Sequence, residues 1–143
     1  MLTRDAVVQA ALKWEGVCYR HRGRDAAGLD CVGLIVAVAR DLKIVSAEFD
    51  TTGYGRAPDG SLMRKMREAG LEPRPIVPLV PGAILVFAFP PRPAQHVGFV
   101  VSAEPGVILH AHDTRGVVRA RLGASVSTAA RPIRAFDFPK MSE

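Results

Sequence analysis

A thiol at the start of a helix can act as a nucleophile, and this chain places one at Cys31, within Gly28-Leu29-Asp30-Cys31-Val32-Gly33-Leu34-Ile35. A cysteine in a first helical turn meets the positive end of the helix dipole and unpaired backbone N–H groups. Both favour thiolate over thiol and lower the pKa. Asp30 is placed to cap that helix, and Gly33 leaves room for another backbone to approach closely. The same residues would suit a buried structural cysteine, so a nucleophile needs a base as well. The segment Gln95-His96-Val97-Gly98-Phe99-Val100-Val101 supplies a candidate. On a strand, His96, Gly98 and Val100 share one face, while Val97, Phe99 and Val101 share the other and suit a core. His96 would then look across the bare Gly98 toward whatever packs on the sheet. If that is the start of the Cys31 helix, imidazole and thiol form an activated pair.

Such a base needs a third polar group to hold its tautomer. Val107-Ile108-Leu109-His110-Ala111-His112 offers two on one strand face. Asp113-Thr114-Arg115-Gly116 reads as a turn, which leaves His112 near a strand end. His110, directly after an apolar run, is the better orienting residue, with His112 as the fallback. One cysteine and three histidines could also bind zinc, but their spacing matches no closed site, so neither a metal nor another cofactor is expected. The second cysteine, Cys18, leaves a disulfide with Cys31 formally open. It reads as a buried structural bystander.

These residues have to be positioned by helices first and strands afterwards. Thr3 can cap a helix with apolar Val7, Ala10, Ala11 and Trp14, ending near Gly16. A Gly- and Arg-rich loop from Val17 to Leu29 leads to the second helix, begun by Asp30 and striped by Leu34, Ile35, Val38 and Leu42. After a loop with Gly53, Gly55 and Pro58, Asp59 can cap a short helix through Leu62, Met66 and Ala69, stopped by Gly70. Pro73, Pro75, Pro78 and Pro81 then break the helical pattern. Strands are expected over Ala83–Phe89, Gln95–Ser102, Val107–Ala111, Gly116–Arg121 and Arg131–Phe136, with turns at Pro90–Pro93, Glu104–Gly106 and Asp113–Arg115. Helices followed by a run of antiparallel strands indicate an α+β fold rather than alternating βαβ units.

The 143 residues suffice for one core, so residues 1–143 are read as a single domain. The net charge of +5 arises from 19 basic against 14 acidic residues, and the arginines run from Arg4 to Arg134 without a dense cluster. No basic stripe with interleaved aromatics marks a nucleic-acid reader. The charge instead suits solubility and a mild attraction to anionic partners, such as a carboxylate-rich cell wall. Met1 to Trp14 lacks the apolar core of a signal peptide, and no apolar run is long enough to span a bilayer. Synthesis in the cytoplasm is the expectation, with no membrane partner.

Taken together, the motifs resemble the NlpC-type cell-wall peptidases, a bacterial and phage branch of the papain-like fold. Tyr19-Arg20-His21-Arg22-Gly23 followed by Asp30-Cys31-Val32-Gly33-Leu34, then His96-Val97-Gly98, then Ile108-Leu109-His110-Ala111 carry the likeness in order, and Val80–Phe87 resembles the strand before the histidine. The resemblance implies N-terminal helices packed on an antiparallel sheet of about five strands. It implies Cys31 as nucleophile, His96 as base and His110 as third member. It also implies that Tyr19 lies by the site to bind substrate or oxyanion, and that Asp30 holds the amine of a stem peptide. The activity implied is hydrolysis of amide bonds in peptidoglycan stem peptides, commonly between D-glutamate and a diamino acid.

The sequence departs from the family pattern at three places. Val32 stands where many members have serine, Gly82-Ala83 replaces Gly-Asp, and charged residues replace the second glycine of the loop after Tyr19. These features, with the small size, resemble versions carried on phage, prophage or gene-transfer-agent tails, which makes tail proteins expected partners and the virion tail an expected location. Two rival readings remain. One is a non-catalytic tail adaptor that keeps the fold, and the other is an amidase or acyltransferase on another substrate.

Overall fold

The structure is a computed structural model and describes residues 2–50, 62–88, 94–122 and 131–142. Helix α1 (Arg4–Leu12) is capped by Thr3, whose hydroxyl accepts from the Ala6 N–H at 3.1 Å. It buries Val7, Val8, Ala10 and Ala11. Trp14 lies just past the helix, where its indole N–H donates to Asp41 at 2.8 Å. A two-stranded hairpin follows, β1 (Arg24–Asp25) with β2 (Gly28–Leu29), and leads directly into α2 (Cys31–Asp41). Helix α3 (Leu62–Glu68) completes the helical layer, with Gly70 beyond it at φ +90°. The expected cap Asp59, the loop at Gly53 to Pro58, Phe89 and the turn at Pro90–Pro93 lie outside the described residues.

The remaining strands form one antiparallel sheet: β3 (Glu72–Arg74), β4 (Ile84–Ala88), β5 (Ala94–Ser102), β6 (Val107–His112), β7 (Gly116–Arg121) and β8 (Arg131–Asp137). Their order is β3-β8-β4-β5-β6-β7. The four strands from β4 to β7 are neighbours in sequence, whereas β8 returns to lie between β3 and β4. The sheet thus has six strands where five were expected. The extra one, β3, contains Pro73 and stands among the prolines that read as a breaker. It sits at the sheet edge, where a missing N–H breaks no ladder. Arg4 of α1 and Arg74 of β3 both donate to Asp137 of β8, at 3.0–3.1 Å and 2.9 Å, locking the first helix to this edge.

Each face of the sheet carries its own apolar cluster. On one face Val97, Phe99, Leu109, Val86 and Phe136 pack against Val7 and Ala11 of α1 and Leu34, Ile35 and Val38 of α2. Burying side chains of this size contributes about 1.5–3 kcal/mol each, so this layer holds the helices in place. On the other face Leu85, Phe87, Val100 and Ile108 pack with Ile76, Leu79, Val80 and Leu122. Among the described residues no helix is long and apolar enough to cross a membrane.

Candidate active site

Asp30 is the N-cap of α2, and its Oδ1 accepts from the Gly33 N–H at 2.7 Å. The same carboxylate accepts from the Arg22 N–H at 2.7 Å and from Arg24 Nη1 at 3.1 Å, with His21 Nδ1 at 3.9 Å. Arg22 adopts φ +61°, a left-handed conformation uncommon for a residue with a side chain. The Asp30 bond accompanies that turn. Asp30 is only 2 % exposed. In these contacts its oxygens build the start of the helix. Gly33 is required by the same packing, because a Cβ there would stand 2.0 Å from the carbonyl oxygen of Gly23.

The cap fixes Cys31, the first residue of α2, against β5. Three backbone N–H groups, those of Val97, Val32 and Cys31 itself, act on its sulfur in favour of the thiolate. Val97 directly follows His96, so the helix start and the histidine strand are brought together through that amide. The route differs from the expected one. Val97 faces the helices, whereas the His96 face carries Phe87, Val100 and Ile108. What lies across Gly98 is therefore not the helix but His110: a Cβ on Gly98 would stand 3.1 Å from the His110 Cβ and 2.9 Å from the Leu109 oxygen.

His96 and His110 are joined directly. Nε2 of His96 lies 2.8 Å from Nδ1 of His110, with the rings edge to face at 5.0 Å between centroids. His110 is 4 % exposed. His112 also approaches His110, at 6.1 Å between centroids, but its Nδ1 accepts from the N–H groups of Thr114 and Arg115 at 3.2 Å each. It is thus committed to the β6–β7 turn. Tyr19 is half-buried and bridges Leu29 backbone to backbone, two residues before Cys31. Cys18 is exposed, not buried as expected, because it lies in the loop before the β1–β2 hairpin; it and the half-buried Cys31 are both free thiols.

Electrostatics in the resting site run opposite to the helix-start expectation for the thiol. Burial pushes Cys31 up to about 12, and the neighbouring Asp30 charge adds to the rise. The three N–H groups oppose this and offset only part of it. Burial likewise lowers His96 to about 3, with His110 and His112 contributing. His110 falls to about 4, through burial and then through His112 and Arg115. Desolvation penalises whichever form is charged. Burial thus favours the neutral thiol at Cys31 and the neutral imidazole at His96.

Sequence reasoning missed two charged neighbours of this site. Arg24 contacts Asp30 and also donates from Nε to Asp50 Oδ1 at 2.6 Å. That second contact spans 26 residues, and no local spacing announces it. Beside the site, Val32, Ile35, Phe49, Met66 and Val97 line an apolar cavity of about 60 Å³ between α2 and α3. Among the described residues no group of three or more His, Cys, Asp or Glu is arranged to hold a metal ion.

No family model matches the chain, and no curated protein matches it by sequence. Solved structures do match its fold. The NlpC/p60 domain of the peptidoglycan hydrolase SagA superposes with a TM-score of 0.65 at 20% identity, over 94% of this chain and 97% of that one. An NlpC/p60 family protein from Bacillus cereus ATCC 10987 gives 0.68 at 17% identity, over 94% and 40%. A protein described as similar to lipoprotein, NLP/P60 family, from Staphylococcus aureus subsp. aureus Mu50 gives 0.61 at 18%, over 94% and 41%. This chain thus spans about two fifths of the length of the latter two. At these identities the likeness is one of fold, and the chain has the α+β, papain-like fold of NlpC/p60 domains.

Proposed function

We propose that this chain is a cysteine peptidase that hydrolyses amide bonds in peptidoglycan stem peptides, with Cys31 as nucleophile, His96 as base and His110 as the residue that orients it. The observation that carries this reading is the 2.8 Å contact between His96 Nε2 and His110 Nδ1, on a strand whose next amide, that of Val97, favours ionisation of the Cys31 thiol. The role assigned to His96 selects the tautomer. To accept a proton on Nδ1, His96 must carry its own proton on Nε2 and donate it to His110 Nδ1, whose proton then sits on Nε2.

Because thiol and imidazole rest neutral, the proton moves as attack occurs. His96 Nδ1 takes the Cys31 proton while the sulfur adds to the carbonyl, and the N–H of Cys31 at the helix start helps hold the oxyanion. The imidazolium then protonates the leaving amine, and water hydrolyses the thioester in the reverse sense. The peptidoglycan hydrolase among the fold neighbours and the net charge of +5 support a wall substrate. The D-glutamate–diamino acid bond and carriage on a phage or prophage tail are parts of the proposal that rest on the motif resemblance, as does the role of Tyr19 in binding substrate. A second reading keeps the chemistry and changes the substrate. It is favoured by Val32 and the apolar cavity it lines, which suit an apolar group near the scissile bond.

Purified protein incubated with peptidoglycan, with the muropeptides resolved by mass spectrometry, tests both readings. The expected result is a new stem-peptide amine that appears with the parent and is lost with Cys31→Ala. Digestion by Cys31→Ala at the parental rate would overturn the assignment.

A further inference from the structure

Behind the nucleophile lies a charge relay that the proposed mechanism does not use. The Arg24 side chain is 10% exposed and the Asp30 side chain 3%, so this pair is well shielded from water. Arg24 Nη1 donates to Asp30 Oδ1 at 3.1 Å and to the Gly23 carbonyl at 2.9 Å, while Nε donates to Asp50 Oδ1 at 2.6 Å. One guanidinium is therefore shared between two carboxylates, the nearer of which caps α2 next to the sulfur. We propose that Arg24 is a positioning residue for Cys31: by bridging Asp30 and Asp50 it fixes the start of α2 and sets how much negative charge the sulfur meets.

The physical grounds are those of a shielded three-charge system. A carboxylate adjacent to a thiol opposes its ionisation, and a cation on that carboxylate relieves the opposition. Arg24 relieves it only in part, because Asp50 draws on the same guanidinium. The flexible point charge of lysine could not reach both carboxylates and the Gly23 carbonyl in the fork geometry of arginine. The other charged or titratable groups around the sulfur are His96 of β5, His110 and His112 of β6, and Tyr19, His21 and Arg22 of the loop before β1.

The inference rests on Cys31 being the reactive thiol, and its test does not depend on the substrate. Below a thiol's pKa, the alkylation rate follows the thiolate fraction and changes tenfold per pKa unit. Iodoacetamide labelling of Cys31, followed by peptide mapping at pH 9 with exposed Cys18 as internal reference, reads that fraction where no ordinary histidine carries charge. Arg24→Gln should slow Cys31 labelling at least about threefold relative to Cys18, and Asp50→Asn should speed it by a similar factor, half a pKa unit each way. Arg24→Lys should fall between Arg24→Gln and the parent. A purely structural role would shift both variants in one direction, and that result, or no shift in either, would overturn the proposal. If Arg24→Gln does not fold, Asp50→Asn decides alone: faster labelling supports the relay, and unchanged or slower labelling refutes it.

Discussion

The Nε2 atom of His96 and the Nδ1 atom of His110 face each other at 2.8 Å across neighbouring strands. Among the described residues, His110 is the histidine placed to hold the His96 ring through its own ring nitrogen. His112 hydrogen-bonds its own turn instead.

Removing the acceptor should therefore cost more than removing a nearby ring. His110→Ala is expected to lower kcat by about 100-fold or more, the range typical of a mispositioned base, while His112→Ala changes it less than about threefold. His110→Asn restores an acceptor oxygen for the His96 N–H and should recover part of the loss. Initial rates on muropeptides for the three variants check this, and the reverse ranking would make His112 the third member.

Gly98 makes the histidine contact sterically available. A methyl there would press on the His110 Cβ at 3.1 Å and on the Leu109 oxygen at 2.9 Å, the latter being backbone that cannot easily give way. Gly98→Ala should lose about 1–3 kcal/mol of stability as an overpacking change. At temperatures where it remains folded, it should also lose turnover. Denaturant midpoints with parallel rate measurements separate the two effects. An alanine variant with parental stability and rate would show that β5 and β6 have slack at this point.

Much of this was legible in the sequence because it is local. Asp30 as cap, Gly33 as a close-approach position and His110 after an apolar run each follow from types and spacings within a few residues. The strand limits of β5, β6 and β7 follow from alternation. What alternation could not supply is which layer covers which face. His96 was expected to look onto the helix, yet its face carries a second apolar cluster built from Ile76, Leu79 and Leu122. Strand β3 escaped notice because proline signals against a strand except at an edge, and edges are set by the distant return of β8. The rise in the Cys31 pKa was hidden for a related reason. A helix start lowers a thiol pKa by local dipoles, but burial is a property of the whole fold, and here it dominates.

Acid should destabilise the protein through the two buried histidines. Their folded pKa values, about 3 for His96 and about 4 for His110, lie below the ordinary 6.5. The unfolded chain therefore binds more protons as pH falls from 6.5, and the stability present above 6.5 is lost progressively toward pH 3. At about 1.4 kcal/mol per unit, shifts of this size cost on the order of several kcal/mol by pH 4. Urea midpoints between pH 7 and 4 should fall in the parent and fall less in His110→Gln, which has no proton to gain. Parallel curves for the two proteins would remove His110 from the account.

Asp30 serves stability and reactivity in opposite senses, and two substitutions separate them. Asp30→Ala removes the cap, deprives the Arg22 N–H of its acceptor and leaves Arg24 with one carboxylate instead of two. Breaking a buried ion pair on one side costs about 3–5 kcal/mol, so this variant should be severely destabilised. Asp30→Asn is nearly isosteric and keeps an oxygen for the Gly33 N–H, at the cost of turning an amide toward the other donors. It should be less destabilised than alanine. It also deletes the charge that helps raise the Cys31 pKa, so folded Asp30→Asn should label faster with iodoacetamide at Cys31 than the parent does. Slower labelling in folded Asp30→Asn would mean that orientation of the helix start, and not the field of the carboxylate, governs the thiol. Muropeptide kinetics then test the amine-binding role: an inward-facing carboxylate predicts a change in kcat with little change in KM, whereas a substrate contact predicts a rise in KM.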